Sequence, residues 1–311
     1  MKKFIVCQLI ILSLAFFYRD ACGAEKWTDL RADGFSGGDG SAGSPYLISN
    51  ANQLALMSYL VNEDHSRFTS GNYVLVSDID LSGREWTPIA HIYNYPISEM
   101  TSLRFNGSFD GDGHSISGLT VRGEDNTHLG LFGAIDRGGR VKNVVLRNAR
   151  VQDSLGGRMV GTLAGESSGT IENCAADGYV EIGGSYAGGL IGSNIYGVVQ
   201  NCRADCVTSG DHAIGGLIGS NRGTILNCVT SGKVIGRYLI GGLASENVAI
   251  GEIIDCASSA DLQGGPENEF IGSLVGQNKA KISPMPESEG ATGAHKLTLL
   301  DLIGPFLRPG F

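Results

Sequence analysis

Proline is scarce in this chain, 8 residues in 311, and aromatic residues make up only 7%. Glycine does not recur at every third position, so a collagen-like triple helix is excluded. Charged residues are also sparse at 18%, yet 42% of the chain is hydrophobic, too much for a disordered polymer. Basic residues are outnumbered 23 to 32, which gives a net charge of −9. So acidic a chain is a poor binder of nucleic acid or of anionic membranes, because phosphate neutralisation by Lys and Arg supplies most of that affinity. None of the histidines (His65, His91, His114, His128, His212, His295) is followed by Glu. The zinc-peptidase helix His-Glu-x-x-His, which sets two imidazoles beside a general base, is therefore missing. Beyond residue 18 no apolar run is long enough to span a bilayer.

Glycine, in contrast, is abundant at 47 residues. An interior Gly costs a helix about 1 kcal/mol relative to Ala, which argues against a helical bundle. The first residues read as a secretory signal. Lys2 and Lys3 precede an apolar run over 4–18, and Cys22, Gly23 and Ala24 supply small residues for cleavage after Ala24. A lipoprotein reading would acylate Cys22, but Arg19, Asp20 and Ala21 do not form the aliphatic lipobox such a site needs. Removing residues 1–24 takes away a net +2 and leaves the mature chain at −11. Its cysteines are Cys174, Cys202, Cys206, Cys228 and Cys256, an odd number that implies no complete disulfide framework.

The strongest feature is self-similarity. Residues 160–165, 187–192, 214–219, 240–245 and 271–276 share a Gly-x-Leu-x-Gly pattern, with Ser245 replacing the last Gly once, and 128–133 is a looser copy. The shared leucines Leu131, Leu163, Leu190, Leu217, Leu243 and Leu274 are spaced 32, 27, 27, 26 and 31 apart. Between the boxes lies a second element ending in Cys174, Cys202, Cys228 or Cys256, each preceded by Asn or Asp. A third short run follows. Each period thus holds about three brief strand-like runs separated by turn formers, which fits one coil of a parallel β-helix. Leucine-rich repeats lack support for want of the fuller Leu consensus, and propeller blades need about 40 residues.

Stacked coils bring equivalent residues about 4.8 Å apart, so identical side chains form ladders. The leucines are expected to fill the interior. Asn194, Asn221, Asn247 and Asn278 are expected at turns of left-handed geometry, with stacked amides. A bend at the Asn preceding each Cys would turn both the Cys and the Ile or Val three residues before it inward. The cysteines then form a buried column, too far apart for disulfides. Cys206 lies outside the series and either pairs with Cys202 or stays free. At the N-terminal side a strand over 45–48 and a short helix over 50–62 are expected. Asn50 would cap that helix, and Leu54, Met57, Leu60 and Val61 would cover the solenoid end. The domain reading is a signal peptide over 1–24, an N-terminal cap over 25–70 and a β-helix over 71–279. A polar tail over 280–311 follows, with a short helix over 295–302 that caps the last coil or stays loose.

This ordered set resembles the GLUG-repeat family of exported bacterial proteins, named for the Gly-Leu-x-Gly box. The segments that carry the likeness are 38–41 with 45–48, 78–81 with Trp86, 105–116, 130–133 and the later boxes. The resemblance implies an all-β, right-handed parallel β-helix on surface or secreted proteins, adhesin-like ones and some immunoglobulin A peptidases among them.

Candidate chemistry is thin. Asp177 and Asp205 each follow a repeat Cys by three residues, so adjacent coils would set them side by side, as glycoside cleavage requires of a carboxylate pair. Asp110, Asp112 and His114 sit in a DGDGH segment that looks like part of a calcium loop but lacks its further acidic ligands. Scattered Tyr and Arg residues, including Tyr179, Tyr186, Tyr196, Arg203, Arg222, Arg237 and Tyr238, are common interface types. The reading is a non-catalytic, exported, adhesin-like scaffold, secreted or in the cell envelope, for a glycan or a host or cell-surface protein. It implies no cofactor and no metal. The alternatives are a polysaccharide-degrading β-helix enzyme, in which Asp177 and Asp205 share a groove with Arg203, and a fragment of a larger adhesin.

Overall fold

The computed structural model describes residues 25–63, 67–91, 103–123, 128–153, 159–265 and 270–283. The signal segment with Cys22, and the helix expected over 295–302, lie outside them. One coil illustrates the rest. Thr170–Glu172, Ala175–Ile182, Tyr186–Gly188 and Ile191–Asn194 follow one another, and Val198–Gln200 starts the next turn. Each strand pairs in parallel with its counterpart in the following coil. The result is an all-β parallel solenoid with four sheets of nine, nine, six and six strands, termed faces one to four in coil order.

The coil therefore carries one strand more than the three runs suggested by the sequence, because the Gly-Leu box is a corner and not a strand. Its first Gly ends face three, and its Leu points into the core just before face four. A Cβ on Gly188 would lie 2.1 Å from the Ile191 carbonyl oxygen, and one on Gly215 1.9 Å from that of Ile218. Only glycine lets the two backbones approach this closely.

The corner between faces one and two has a different origin. Asn143, Asn173, Asn201, Asn227 and Asp255 all have φ between 51° and 55°. Among residues with a side chain, Asn and Asp tolerate this left-handed conformation best. The bend breaks strand alternation, so Ile171 and Cys174 are both buried. The left-handed geometry thus belongs to this Asn series. Asn194, Asn221, Asn247 and Asn278 lie instead at the ends of extended face-four strands, which corrects the expectation that they form the left-handed turns.

Leu131, Leu163, Leu190, Leu217 and Leu243 are fully buried along the axis, and Leu274 is half-buried in the last coil. Burial of each such leucine stabilises by about 1.5–3 kcal/mol. The buried aromatic rings gather at the start. Tyr46 stacks on Phe35 at 4.5 Å between ring centroids, and Tyr73, Phe105 and Phe132 continue the column. Helix α1, Ala51–Glu63, closes this end with Leu54, Met57 and Val61 fully buried, while Leu60 stays half-buried. The Asn50 side chain accepts the Gln53 amide at 3.1 Å, and Gln53 reaches back to the Ser49 amide at 2.8 Å. It is the one α-helix among the described residues.

Candidate functional site

The solenoid repeats its interior and varies its exterior, so a site must arise where variable side chains from successive coils share one surface. Asp177 and Asp205 are in-register neighbours on face two, and Asp205 pairs onward with Ser231. They project from an open sheet, Asp177 half-buried and Asp205 exposed, with Arg203 two residues along the same strand. Asp177 uses one oxygen to accept the Asn148 backbone N–H at 2.6 Å, where a left-handed residue interrupts the strand register. None of the cavities described below includes either carboxylate. The pair is adjacent in register, with Asp205 exposed on the sheet face.

The DGDGH segment is a turn held by its neighbours. Asp110 accepts bonds from the Asp112 amide and the Asn143 side chain, both at 2.9 Å, and pairs with Lys142 at 2.7 Å. Burial pulls the Asp110 pKa up, but the bonds from Lys142 and Asn143 outweigh it and hold the carboxyl below its usual range. His114 Nδ1 lies 3.7 Å from Asp78, not from Asp110 or Asp112. The Asp110 oxygens are already occupied by protein donors. Among the described residues no three His, Cys, Asp or Glu side chains come together as metal ligands.

The five cysteines among the described residues are free thiols. Cys174, Cys202 and Cys228 are buried one above another, each Sγ lying against a backbone carbonyl, and Cys256 ends the column half-buried. The Cys202 amide donates to Cys228 Sγ and the Cys228 amide to Cys256 Sγ, both at 3.4 Å. Cys206 is separate and unpaired with Cys202, its Sγ near the Ala176 and Gly189 carbonyls. Asn194, Asn221 and Asn247 are fully buried, and their side-chain amides bond from coil to coil out to Asn278. All of these residues build the scaffold. Ser245, the exception in the Gly boxes, is buried with its hydroxyl donating to the Gly219 carbonyl.

One external feature does gather variable residues. Where faces three and four meet, a recess of about 420 Å³ is lined by Tyr186, His212, Tyr238 and Phe270 on one side and Glu246 and Gln277 on the other. The His212 and Tyr238 rings stack with centroids 4.9 Å apart and planes 22° from parallel. Arg237 places its guanidinium 5.4 Å from the centre of the Tyr238 ring and also lines a neighbouring recess of about 580 Å³. Opposite, Glu246 sits in register between Ser220 and Gln277, and the Ser220 hydroxyl donates to it at 2.6 Å. Burial, then the Glu246 carboxylate, raises the Tyr186 phenol above its ordinary pKa, so it stays a protonated donor.

This row escapes a scan for identical residues. Measured from the first Gly of each box, the aromatic or imidazole ring stands two residues before in Tyr186 and Phe270, and three before in His212 and Tyr238. Tyr186 and Tyr238 are visible in sequence only as scattered surface residues. A search for any ring within three residues of the box would have found the row.

A third cavity, about 300 Å³, lies beside α1 and is lined by Lys26, Arg31 and Arg122 together with Asp29, Glu63 and Glu85. Its charges balance. His91 at its edge is held neutral, burial pushing its pKa down to about 4.

No family model matches the chain. Over 161 residues, half of its length, it is 38% identical to Halomucin of Haloquadratum walsbyi. Over 200 residues, 60% of its length, it is 31% identical to a "Putative Gly-rich membrane protein" of Evansella cellulosilytica. The chain spans only 2% and 21% of the lengths of these relatives. Among solved structures it is similar to a "putative immunoglobulin A1 protease" from Bacteroides ovatus, with a TM-score of 0.64 and 23% identity. The likeness covers 80% of this chain and 78% of the other and is one of fold. Among the described residues no helix is long and apolar enough to cross a membrane.

Proposed function

We propose that this chain is an exported, non-catalytic, adhesin-like scaffold of the Gly-Leu-x-Gly repeat type, and that it binds a glycan in the recess between faces three and four. The observation that carries the reading is the row of Tyr186, His212, Tyr238 and Phe270 opposite Glu246 and Gln277. Sugar rings offer apolar C–H faces that pack on aromatic rings, and hydroxyls that bond to carboxylates, amides and phenols. A recess with apolar walls and a few fixed polar groups meets both demands. The leader-like residues 1–24 and the likeness to a Gly-rich membrane protein support export to the envelope or medium.

A glycan array probed with residues 25–311 tests the reading. Retention of one glycan class, weakened at least tenfold in both Tyr186→Ala and Tyr238→Ala, is the expected result. Binding only to protein ligands, or retention unaffected by either change, refutes it. The in-register carboxylates Asp177 and Asp205 support a second reading, polysaccharide cleavage. Release of new reducing ends by the chain, abolished in Asp205→Asn, would establish that reading in place of the first.

A further inference from the structure

The recess between faces three and four is periodic along the solenoid axis. On its ring side Tyr186 is in register with Ala213, Ala213 with Leu239 and Leu239 with Phe270. His212 and Tyr238 directly precede Ala213 and Leu239, so four successive coils contribute one ring each. On the facing side Ser193, Ser220, Glu246 and Gln277 stand in register, one polar residue in each of the same four coils. Coils are separated by about 4.8 Å, so the first and last rings lie about 14 Å apart along the axis.

The four stations differ in what they offer. His212 and Tyr238 stack on each other, which fixes both rings and leaves their edges, with the imidazole nitrogens and the phenol, to meet a ligand. Tyr186 and Phe270, at the two ends, stack on no other ring among the described residues, and Phe270 is 42% exposed. Ser193 and Ser220 are buried and form the floor, whereas Glu246 and Gln277 are half-buried and line the recess. One Glu246 oxygen accepts the Ser220 hydroxyl, and the other has no partner among the described residues.

The row also has a definite start. In the coil before Tyr186 the register partner is Met159, which brings no ring. The partner of Ser193 there is Glu166, buried and already paired with Arg104. Phe270 and Gln277 are the last members of the row among the described residues.

A wall that repeats once per coil suits a ligand that repeats at the same interval. A single sugar would touch one station and leave the others unused, whereas pyranose units joined head to tail in an extended chain each advance by close to one coil rise. We infer that the recess holds a run of about four units of a linear polysaccharide lying along the solenoid axis. The end units pack on Tyr186 and Phe270, and the middle units bond to His212, Tyr238, Glu246 and Gln277. This rests on the glycan reading and adds the form and direction of the ligand.

Calorimetric titration of residues 25–311 tests it, with linear oligomers of glucose, mannose, galactose, N-acetylglucosamine and glucosamine, one to six units long. In a series that binds, affinity is expected to rise roughly tenfold from two units to four and by under about twofold from four to six. Phe270→Ala, at an exposed position, is expected to move the plateau from four units to three. Equal affinity for two and six units, or a plateau that Phe270→Ala does not move, overturns the inference. Failure of every series to bind while the array retains another glycan also overturns it and leaves the proposed function standing. Binding of no glycan, in titration or on the array, removes the proposed function and this inference with it.

Discussion

The buried amide column makes a sharp prediction at Asn221. This side chain is fully buried and makes four hydrogen bonds. It donates to Asn247 Oδ1 at 2.8 Å and the Gly223 carbonyl at 3.0 Å, and accepts from Asn194 Nδ2 at 2.9 Å and the Gly223 amide at 3.2 Å. In Asn221→Ala, Asn194 Nδ2 keeps the Gly197 carbonyl and the Gly223 carbonyl keeps the Glu252 amide. Asn247 Oδ1, the Gly223 N–H and the second N–H of Asn194 lose these bonds inside the core. An orphaned buried polar group costs about 1–3 kcal/mol, so the substitution is expected to cost about 3–4 kcal/mol, a large part of a typical domain's total. Asn278 closes the same column but is exposed, and its donor Asn247 retains the Gly251 and Lys281 carbonyls. Water can replace what is lost there, and Asn278→Ala should cost under about 1 kcal/mol. Urea unfolding followed by circular dichroism, with midpoint and slope fitted together, separates the two. Equal midpoint shifts for the two variants, or a loss below about 1 kcal/mol at Asn221, would refute the argument that the column is held by satisfied buried amides.

Other outcomes follow from the same geometry. Gly215→Ala places a Cβ 1.9 Å from the Ile218 carbonyl oxygen, whereas a Cβ on Gly43 meets nothing within 4 Å. The first should cost about 3 kcal/mol and the second under about 0.5 kcal/mol in the same unfolding assay, and equal costs would contradict the close-approach account of the box. The Arg140 hydrogen bond, opposed by burial and aided by Gln200, holds Glu172 below its usual pKa, and Asp110 is depressed as described. Depressed carboxyls contribute stability above their unfolded pKa of about 4 and lose it as pH falls through the folded value. The unfolding midpoint should therefore be flat from about pH 7 to 5 and drop below about pH 4, less steeply in Glu172→Gln; an undiminished midpoint at pH 3 would count against it. Burial, helped by Asp177 and Asp205, pushes the Cys206 thiol up to about 12, and Cys174, Cys202 and Cys228 are equally enclosed. In residues 25–311 a thiol reagent should modify at most Cys256 in the native protein and all five cysteines in urea, so rapid native labelling of four or more would overturn the buried assignment.

The coil period was legible in the sequence because parallel in-register stacking returns each interior position to the same environment once per turn. Leu190, Leu217 and Leu243 answer one constraint three times. The fourth strand was not legible, since a run such as 187–192 looks continuous until the Gly188 backbone is seen against Ile191. The bend at the Asn before each Cys was legible, because Ile171 and Cys174 must both turn inward. Between two Asn series of nearly equal period, however, local spacing gave the left-handed conformation to the wrong one. Asp110 resembled a cation ligand because Lys142 and Asn143, which occupy its oxygens, arrive a full coil later. The aromatic recess was hidden for the opposite reason. Outward positions carry no packing constraint, so rings can occur at either of two offsets and still share one wall.

The asparagine bonds also give the solenoid a polarity. Along face four the amide N–H of Asn194, Asn221 and Asn247 each points toward the C-terminal coil, because turn carbonyls such as Gly223 hold the other N–H. At the left-handed corner the order is reversed. Asn227 donates to Asn201, Asn173 to Asn143 and Asn143 to Asp110, each toward the N-terminus. Ionised Asp110 can only accept, which sets the direction of the Asn143 and Asn173 bonds above it. The two columns thus oppose their dipoles along the axis. A coil inserted between existing ones keeps both columns running only if it brings an Asn at each position, so length can change by whole turns and not by part of one.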